Sequence, residues 1–390
     1  MNILVLNAGS SSIKYRLFDM NKNELLLSGL IEHIQELEPT QYHWKGINGE
    51  QHISLVQNDY KAIFEYVFHA LDGDYSFHAI AHRVVHGGID FSQPTLIDAQ
   101  ILSQLHKTIP LAPLHNPACI AGIETALSYH PELSQVAVFD TAFHQTMPEH
   151  AYRYAITERL YRDFDVRRFG FHGISHAYLT QKSAEFLQQP LAELNLITLH
   201  LGNGASIAAI ENGLCVDTSM GMTPLEGLIM GSRCGDIDPG AIFALIEQGL
   251  TSAELNDELN QHSGLKGLCG SNDMREIQQR ADCGDEPARL ALKMFCYRIR
   301  KYIGAYYAVL GRVDALVFSG GIGEYNPLVR QMVCESLGGL GLHICSSSNQ
   351  QAVNTISRID VHDSGTAILV IPANEELEIA RQASRLLNGT

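Results

Sequence analysis

Apolar runs broken by small polar turns divide this chain into two similar halves. Residues 3–6 are continuously apolar, residues 7–12 are small and polar, and residues 13–18 alternate as a strand does, which predicts a β-hairpin with a polar tip. The pattern returns near the middle, where residues 196–201 lead into Gly202-Asn203-Gly204-Ala205-Ser206, then residues 207–210 and a further turn at Glu211-Asn212-Gly213. Aligning Ser10-Ser11-Ser12-Ile13 with Gly204-Ala205-Ser206-Ile207 superimposes the two hairpins. Self-similarity at half the chain length points to a duplicated domain, because a solenoid repeats every ~20–50 residues. Buried strands are predicted at 79–85, 136–139, 315–318 and 367–371, and helices at 117–129, 175–187, 289–310 and 375–387. The chain is therefore α/β. The spacing predicts a first domain over 1–150 and a second over 151–372, with a linker near 145–155. The C-terminal helix, 373–390, is expected to return to the first domain.

Length and composition agree with that division. The chain has 390 residues, 45% of them hydrophobic and 18% charged, enough for two independently cored domains. Lys plus Arg number 27 against 43 Asp plus Glu, a net charge of −16. Nucleic acids and anionic membranes bind clustered cations, so neither is an expected partner, and an anionic ligand must be held by a few local donors or a metal. The eight cysteines show no C-x-x-C pair and read as free thiols. The first residues lack the basic and apolar regions of a signal peptide, and no uncharged apolar run is long enough to span a bilayer. A cytoplasmic protein is expected.

Candidate chemistry lies in the small-residue turns and at strand ends. Turns without bulky side chains let backbone N–H groups approach phosphate oxygens. A third such loop, Ser319-Gly320-Gly321-Ile322-Gly323-Glu324, follows a predicted strand, yet nothing in the chain matches a Walker or Rossmann fingerprint. Arg83 ends the strand before Gly87-Gly88 and offers a bidentate fork suited to a carboxylate or phosphate. Asp140 ends another strand, either at a ligand position or as the N-cap of a following helix. His172 and His176 have metal-like i, i+4 spacing, but Gly173 and the lack of a nearby acidic ligand favour a hydrogen-bonding His172 and a capping or structural His176. Residues 217–240 are too rich in Gly, Met and polar residues to be regular. They contain one cation, Arg233, poised for function or for a salt bridge.

Taken in order, Leu6-Asn7-Ala8-Gly9-Ser10-Ser11-Ser12-Ile13-Lys14 and the segments 82–88, 139–144, 169–176, 200–206, 217–239, 320–324 and 372–376 resemble the acetate kinase (acetokinase) family, over essentially the whole chain. The resemblance implies a duplicated ribonuclease-H-like (actin-like ATPase) fold with an interdomain active-site cleft, and a homodimer. It also implies reversible transfer of the ATP γ-phosphoryl group to acetate, giving acetyl phosphate and ADP. Carried over by position, Asp140, His172 and Arg233 fall on catalytic positions, and Arg83, Val85, Leu114 and Pro224 on substrate-binding ones. Lys14, His200, Leu201, Gly202, Asn203, Gly204, Asp273, Met274, Arg275, Gly321, Ile322, Gly323, Glu324 and Tyr325 fall on nucleotide-contact segments. Asn7 and Glu375 fall on the Mg²⁺ site, at which Mn²⁺ is an expected substitute. The chain departs from the family pattern at Tyr325, Cys234, Ile174 and Ala373, none of which removes a charged group.

The implied chemistry is physically coherent. A carboxylate is already ionised at neutral pH, so its attack on phosphorus needs no strong base. The barrier is the approach of two anions, which positioning and charge neutralisation must overcome. Asp140 is therefore expected to orient an arginine or bound water. Val85, two residues beyond Arg83, shares its face if the strand continues, and walls a methyl-sized pocket that favours acetate over propionate. The competing readings are a propionate kinase of the same family and a non-catalytic nucleotide-dependent binding module. The second predicts missing charged groups, whereas Arg83, Asp140, His172, Arg233 and Glu375 are all present.

Overall fold

The computed structural model describes residues 1–9, 11–36, 38–46, 49–71, 75–361 and 364–389; Ser10, part of the first predicted turn, lies outside them. The apolar pattern is realised as two sheets. In the first, β1 (Asn2–Ala8) pairs antiparallel with β2 (Ile13–Asp19), which pairs with β3 (Glu24–Glu32). Two outer strands, β4 (Gln41–Gly46) and β5 (Gly49–Ser54), continue that side. On the other side β1 runs parallel to β6 (Ala79–Val84), with β7 (Thr95–Leu96) and β8 (Ser134–Phe139) beyond it in the order β1-β6-β8-β7.

The second sheet repeats the plan. Strands β9 (Asn195–Leu201), β10 (Ala205–Glu211) and β11 (Leu214–Thr218) form an antiparallel meander. Strand β12 (Ala315–Ser319) runs parallel to β9, with β13 (Ser357–Arg358) and β14 (Ala367–Val370) beyond in the order β9-β12-β14-β13. Each sheet is thus a three-strand meander whose first strand carries parallel neighbours on its other side. The parallel strands are apolar on both faces because helices cover both, which is why they read as unbroken runs.

The chain divides into two compact units, Met1–Phe143 with Asn374–Thr390, and His144–Ala373. Helix Glu375–Asn388 packs on β1, β2, β6 and β8 of the first. It is opened by Asn374, whose side chain accepts from the Leu377 amide, has Glu375, Glu376 and Glu378 at its positive end, and is closed by Gly389 at φ +70°. Helix Glu286–Leu310 is the longest of the second unit, capped by Asp285 and ended at Gly311. All eight cysteines are free thiols, as expected. Among the described residues no helix is long and apolar enough to cross a membrane.

The two hairpins share a plan but not a turn. In the first, the last pair is Ala8 with Ile13, leaving four residues in the turn; in the second it is Leu201 with Ala205, leaving three. The expected alignment is therefore displaced: Ser206 sits inside β10 opposite His200, and is not a turn residue.

Candidate active site

In the first unit, the ends of three adjacent strands bring together residues far apart in sequence. Asn7 is at the end of β1, Arg83 near the end of β6, and Asp140 one residue past β8, with its amide bonded to the Val84 carbonyl. Arg83 donates from Nε and Nη2 to Asp140 Oδ2 at 3.1 and 2.6 Å, and from Nη1 to Asn7 Oδ1 at 2.9 Å. Asn7 Nδ2 donates in turn to Glu376 Oε1 at 3.0 Å. Arg16 anchors the same helix start, 3.1 Å from Asn374 Oδ1 and 3.3 Å from Glu376 Oε2.

Two consequences follow for the expected roles. Asp140, 2% exposed at its side chain, gives its Oδ2 to an ion pair with Arg83. All three guanidinium nitrogens of Arg83 are already engaged, yet its side chain stays 17% exposed, leaving an outer edge that a small carboxylate can reach. Burial works against the Arg83 charge, but Asp140 and Glu375 raise its pKa and hold it protonated. For Glu375, burial pushes the carboxyl pKa up while Arg83 pulls it back down.

Asn7 and Glu375 do not form a ready-made cage. The Asn7 amide is committed to Arg83 and Glu376, and among the described residues no group of three His, Cys, Asp or Glu side chains could hold a metal. Lys14 lies opposite Asn7 in the β1–β2 register, in a different unit from the other nucleotide-contact positions. Val85 is buried but lies past the end of β6 at Val84, so strand alternation no longer places it on the Arg83 face. Leu114 is 60% exposed, an apolar side chain left open to solvent.

In the second unit, helix Gly173–Leu187 starts beside the β9–β10 hairpin. Its N-cap, His172, has φ 58° and ψ 22°, a left-handed conformation that non-glycine residues adopt at some cost. His172 Nδ1 lies 2.9 Å from Ser206 Oγ, and its ring packs 4.5 Å, centroid to centroid, from that of His200. His200 Nδ1 is 2.8 Å from Ser175 Oγ. His176 is fully buried between Thr198 and Ser206, and the N-cap of the helix is His172, so of the two roles open to His176 the capping one falls.

Gly204 shows why the turn must be small. A Cβ there would sit 3.3 Å from His172 Cε1, 3.4 Å from His172 Nε2 and 3.8 Å from Arg233 Nη1, so one side chain would fill the space on which both groups converge. Arg233 donates from Nη1 to the Pro224 carbonyl at 3.1 Å. Among the described residues no carboxylate pairs with it, which removes the salt-bridge alternative, and burial lowers its pKa. The loop around it is fixed from outside. Arg168 donates from Nη1 to the carbonyls of Thr218, Ser219 and Met220 at 3.0, 3.1 and 2.9 Å, and from Nη2 to Glu226 at 2.6 Å. Tyr154 also bonds Glu226.

The glycine loop after β12 forms a short helix, Gly320–Tyr325. Gly320, at φ +76°, lies so close to the Leu201 backbone that a Cβ would approach it to 2.7 Å, whereas Gly321 faces open space. Glu324 is buried, and its Oε1 accepts from the Gly320 and Ala373 amides at 3.0 and 2.9 Å, so its carboxylate braces the loop. Tyr325 is exposed and donates to Asn354 at 2.8 Å. Asp273 caps helix Met274–Asp282, accepting from the Arg275 amide and guanidinium, and Arg275 holds its pKa down at about 2. Leu201 and Met274 are buried. Asn203 offers its carbonyl to the Gly231 amide at 2.8 Å, tying the β9–β10 turn to the Arg233 loop.

Residues that the sequence did not single out complete both arrangements. Glu376 holds Asn7, Arg168 holds the Arg233 loop, and Arg330 holds the end of the glycine loop. Arg330 is fully buried and donates from Nη1 to the Gly323 and Glu324 carbonyls at 2.8 and 2.7 Å; burial lowers its pKa to about 10. The sequence signal for Glu376 was a third acid in one helix turn. Arg168 and Arg330 had none, because each bonds backbone carbonyls, which any sequence supplies.

Comparisons with known proteins bear on both units. The model of the acetokinase family matches residues 2–381. The chain is 52% identical over 396 residues to a protein of Sulfurovum sp. (strain NBC37-1) named acetate kinase, covering 100% of this chain and 99% of that one. Among solved structures, the acetate kinase of Porphyromonas gingivalis superimposes with a TM-score of 0.92 at 40% identity, covering 99% of each chain. A propionate kinase from Francisella tularensis gives a TM-score of 0.92 at 43% identity, covering 98% of each.

Proposed function

This chain belongs to the acetokinase family, and from that premise we propose that it is an acetate kinase, transferring the ATP γ-phosphoryl group reversibly to acetate. Full-length similarity to an acetate kinase supports the reading. The observation that carries its chemistry is the pair of arginines: one held against Asp140, the other beside His172 with no carboxylate partner among the described residues. Acetate is an anion at neutral pH, so no side chain need remove a proton from it. The Arg83 edge binds and orients its carboxylate, with Asp140 and Asn7 fixing the guanidinium. Arg233 and His172 donate to the phosphoryl oxygens on which charge concentrates during transfer. The Gly202–Gly204 turn, His200 and the open Gly321 side of the glycine loop hold the nucleotide phosphates and nucleoside through backbone and small-residue surface, with Lys14, Asp273 and Arg275 as further contacts.

Mg²⁺ accompanies such nucleotides, and few protein ligands suffice, since the ion keeps waters and phosphate oxygens around it. The donor set fits through Glu375, a hard oxygen ligand whose buried charge a cation would stabilise. Asn7 fits as the residue that positions Arg83, its own oxygen being engaged. The ion, when bound, neutralises charge on the phosphate oxygens. Glu375→Gln is expected to raise the Mg²⁺ concentration for half-maximal rate by about tenfold, one lost charge-assisted ligand. A titration at saturating ATP checks this, and an unchanged midpoint removes Glu375 from the role. The reading extends to a cytoplasmic homodimer without nucleic-acid or membrane partners, in keeping with the net charge of −16.

Acceptor choice tests the assignment. Rates with ATP, Mg²⁺ and acetate, propionate, butyrate or glycerol are expected to favour acetate. One methylene in an apolar pocket is worth about 1–3 kcal/mol, so propionate should be a poorer substrate and not an excluded one. If Val85 walls the methyl pocket, Val85→Ala shifts kcat/KM toward propionate. A wild type that prefers propionate would favour the propionate kinase reading, and phosphorylation of glycerol alone would end both.

A further inference from the structure

We infer that Thr198, His176 and Ser206 form a one-way hydrogen-bond relay that fixes which ring nitrogen of His172 carries the proton, making them positioning residues for phosphoryl transfer. The inference rests on the assignment of His172 to the phosphoryl-binding set.

The geometry is a continuous line. Thr198 Oγ1 lies 2.7 Å from His176 Nδ1, His176 Nε2 lies 2.8 Å from Ser206 Oγ, and Ser206 Oγ lies 2.9 Å from His172 Nδ1. Thr198 and Ser206 stand on the paired strands β9 and β10, and His172 and His176 lie one turn apart on the helix packed against β9. Thr198, His176 and Ser206 have no exposed surface. Groups so deeply buried satisfy their O–H and N–H donors within the protein, here on neighbours in the line.

That requirement sets the direction. Among the described residues the Thr198 hydroxyl has His176 as its one side-chain partner, so it donates to Nδ1. Burial, reinforced by His144 and His200, pushes the His176 pKa well below its ordinary value, so the ring is neutral and carries one N–H. With Nδ1 accepting, the proton is on Nε2 and is donated to Ser206. Among the described residues the Ser206 hydroxyl, having accepted from His176, has only His172 Nδ1 to donate to. A neutral His172 must then carry its proton on Nε2, the nitrogen 3.4 Å from where a Gly204 Cβ would sit. The opposite tautomer would present a lone pair to an anionic phosphoryl oxygen, a repulsive contact in place of a hydrogen bond.

The line has a simple logic: a hydroxyl with one side-chain partner starts it, the neutral imidazole accepts at one nitrogen and donates from the other, and a second hydroxyl passes the polarity on. No proton moves during the reaction, since the relay acts by being polarised one way before substrate arrives.

The test is the tautomer itself. Histidine-labelled enzyme with ¹⁵N at both ring positions, free of ligand and at about pH 8, should give long-range ¹H–¹⁵N spectra in which His172 and His176 are both protonated on Nε2. The His172 signals are identified by their loss in His172→Gln. Thr198→Val keeps shape but removes the starting donor, and should give a mixed His172 tautomer and about tenfold lower kcat, with KM for ATP within about twofold. Thr198→Ser should restore both. Should Thr198→Val not fold, Ser206→Ala and the wild-type spectrum carry the same decision. A wild-type His172 protonated on Nδ1, or a Thr198→Val enzyme with unchanged tautomer and kcat, overturns the relay. Failure of the wild type to phosphorylate acetate overturns the functional reading instead, and is seen independently of the spectra.

Discussion

Arg233→Ala is expected to lower kcat by about 10²–10³-fold, the effect of deleting one preorganised donor to developing charge, while leaving the thermal midpoint nearly unchanged. The argument lies in what surrounds the guanidinium. It donates to the Pro224 carbonyl and approaches the Met230 sulfur at 3.7 Å, and burial lowers its pKa without a compensating carboxylate. A partly buried cation with no anionic partner is an unfavourable arrangement on its own, so removing it leaves no orphaned charge behind. What is lost is interaction with an incoming anion. The loop keeps its shape because Arg168 holds it through three carbonyls and Glu226. Steady-state kinetics with a melting curve checks both halves, and turnover near the wild-type value would remove Arg233 from the transition-state set.

Arg83→Ala should behave differently. Its partner Asp140 is 2% exposed at the side chain, so truncating the arginine strands a buried carboxylate and also frees Asn7 Oδ1. Breaking such a pair costs about 3–5 kcal/mol, which for a unit of this size is a fall of roughly 6–20 °C in its unfolding midpoint. If the outer edge of Arg83 also binds acetate, KM for acetate rises by about tenfold or more while KM for ATP changes little. The double variant Arg83→Ala/Asp140→Ala should recover much of the lost stability and none of the acetate affinity. Loss of affinity for both substrates, or recovery of both stability and acetate affinity in the double variant, would assign Arg83 a structural role alone.

The contrast between these arginines shows how far the sequence could be read. Apolar runs such as residues 315–318 and 367–371 identify buried parallel strands because a strand covered on both faces has no polar side to interrupt it. Repetition of the hairpin disclosed the duplication, and caps such as Asp285 and Asn374 mark helix starts by local chemistry that spacing alone carries. The alignment of the two turns went astray because serine suits a polar tip and a buried strand equally well, and only the register distinguishes Ser206 from its supposed counterpart Ser12. The predicted strand 79–85 ends one residue early for a related reason: an apolar residue just past a strand, here the buried Val85, reads as more strand.

Arg83 and Asp140 were conspicuous in the sequence as charged residues at predicted strand ends, and Arg233 as the one cation of an irregular stretch. Their partners were not. Asn7 and Glu376 are 369 positions apart, and nothing local to either announces the bond. Arg330 sits in an ordinary amphipathic helix, and its complete burial depends on carbonyls presented by the glycine loop.

Direct phosphoryl transfer from ATP to acetate can be watched by ³¹P NMR of the purified protein with ATP, Mg²⁺ and acetate. An acetyl phosphate resonance should grow in step with ADP as the γ-phosphate signal of ATP declines, with no matching growth of inorganic phosphate, and adding ADP and acetyl phosphate should run the change backwards. ATP that is unchanged, or that yields only ADP and inorganic phosphate in the presence of acetate, would contradict it.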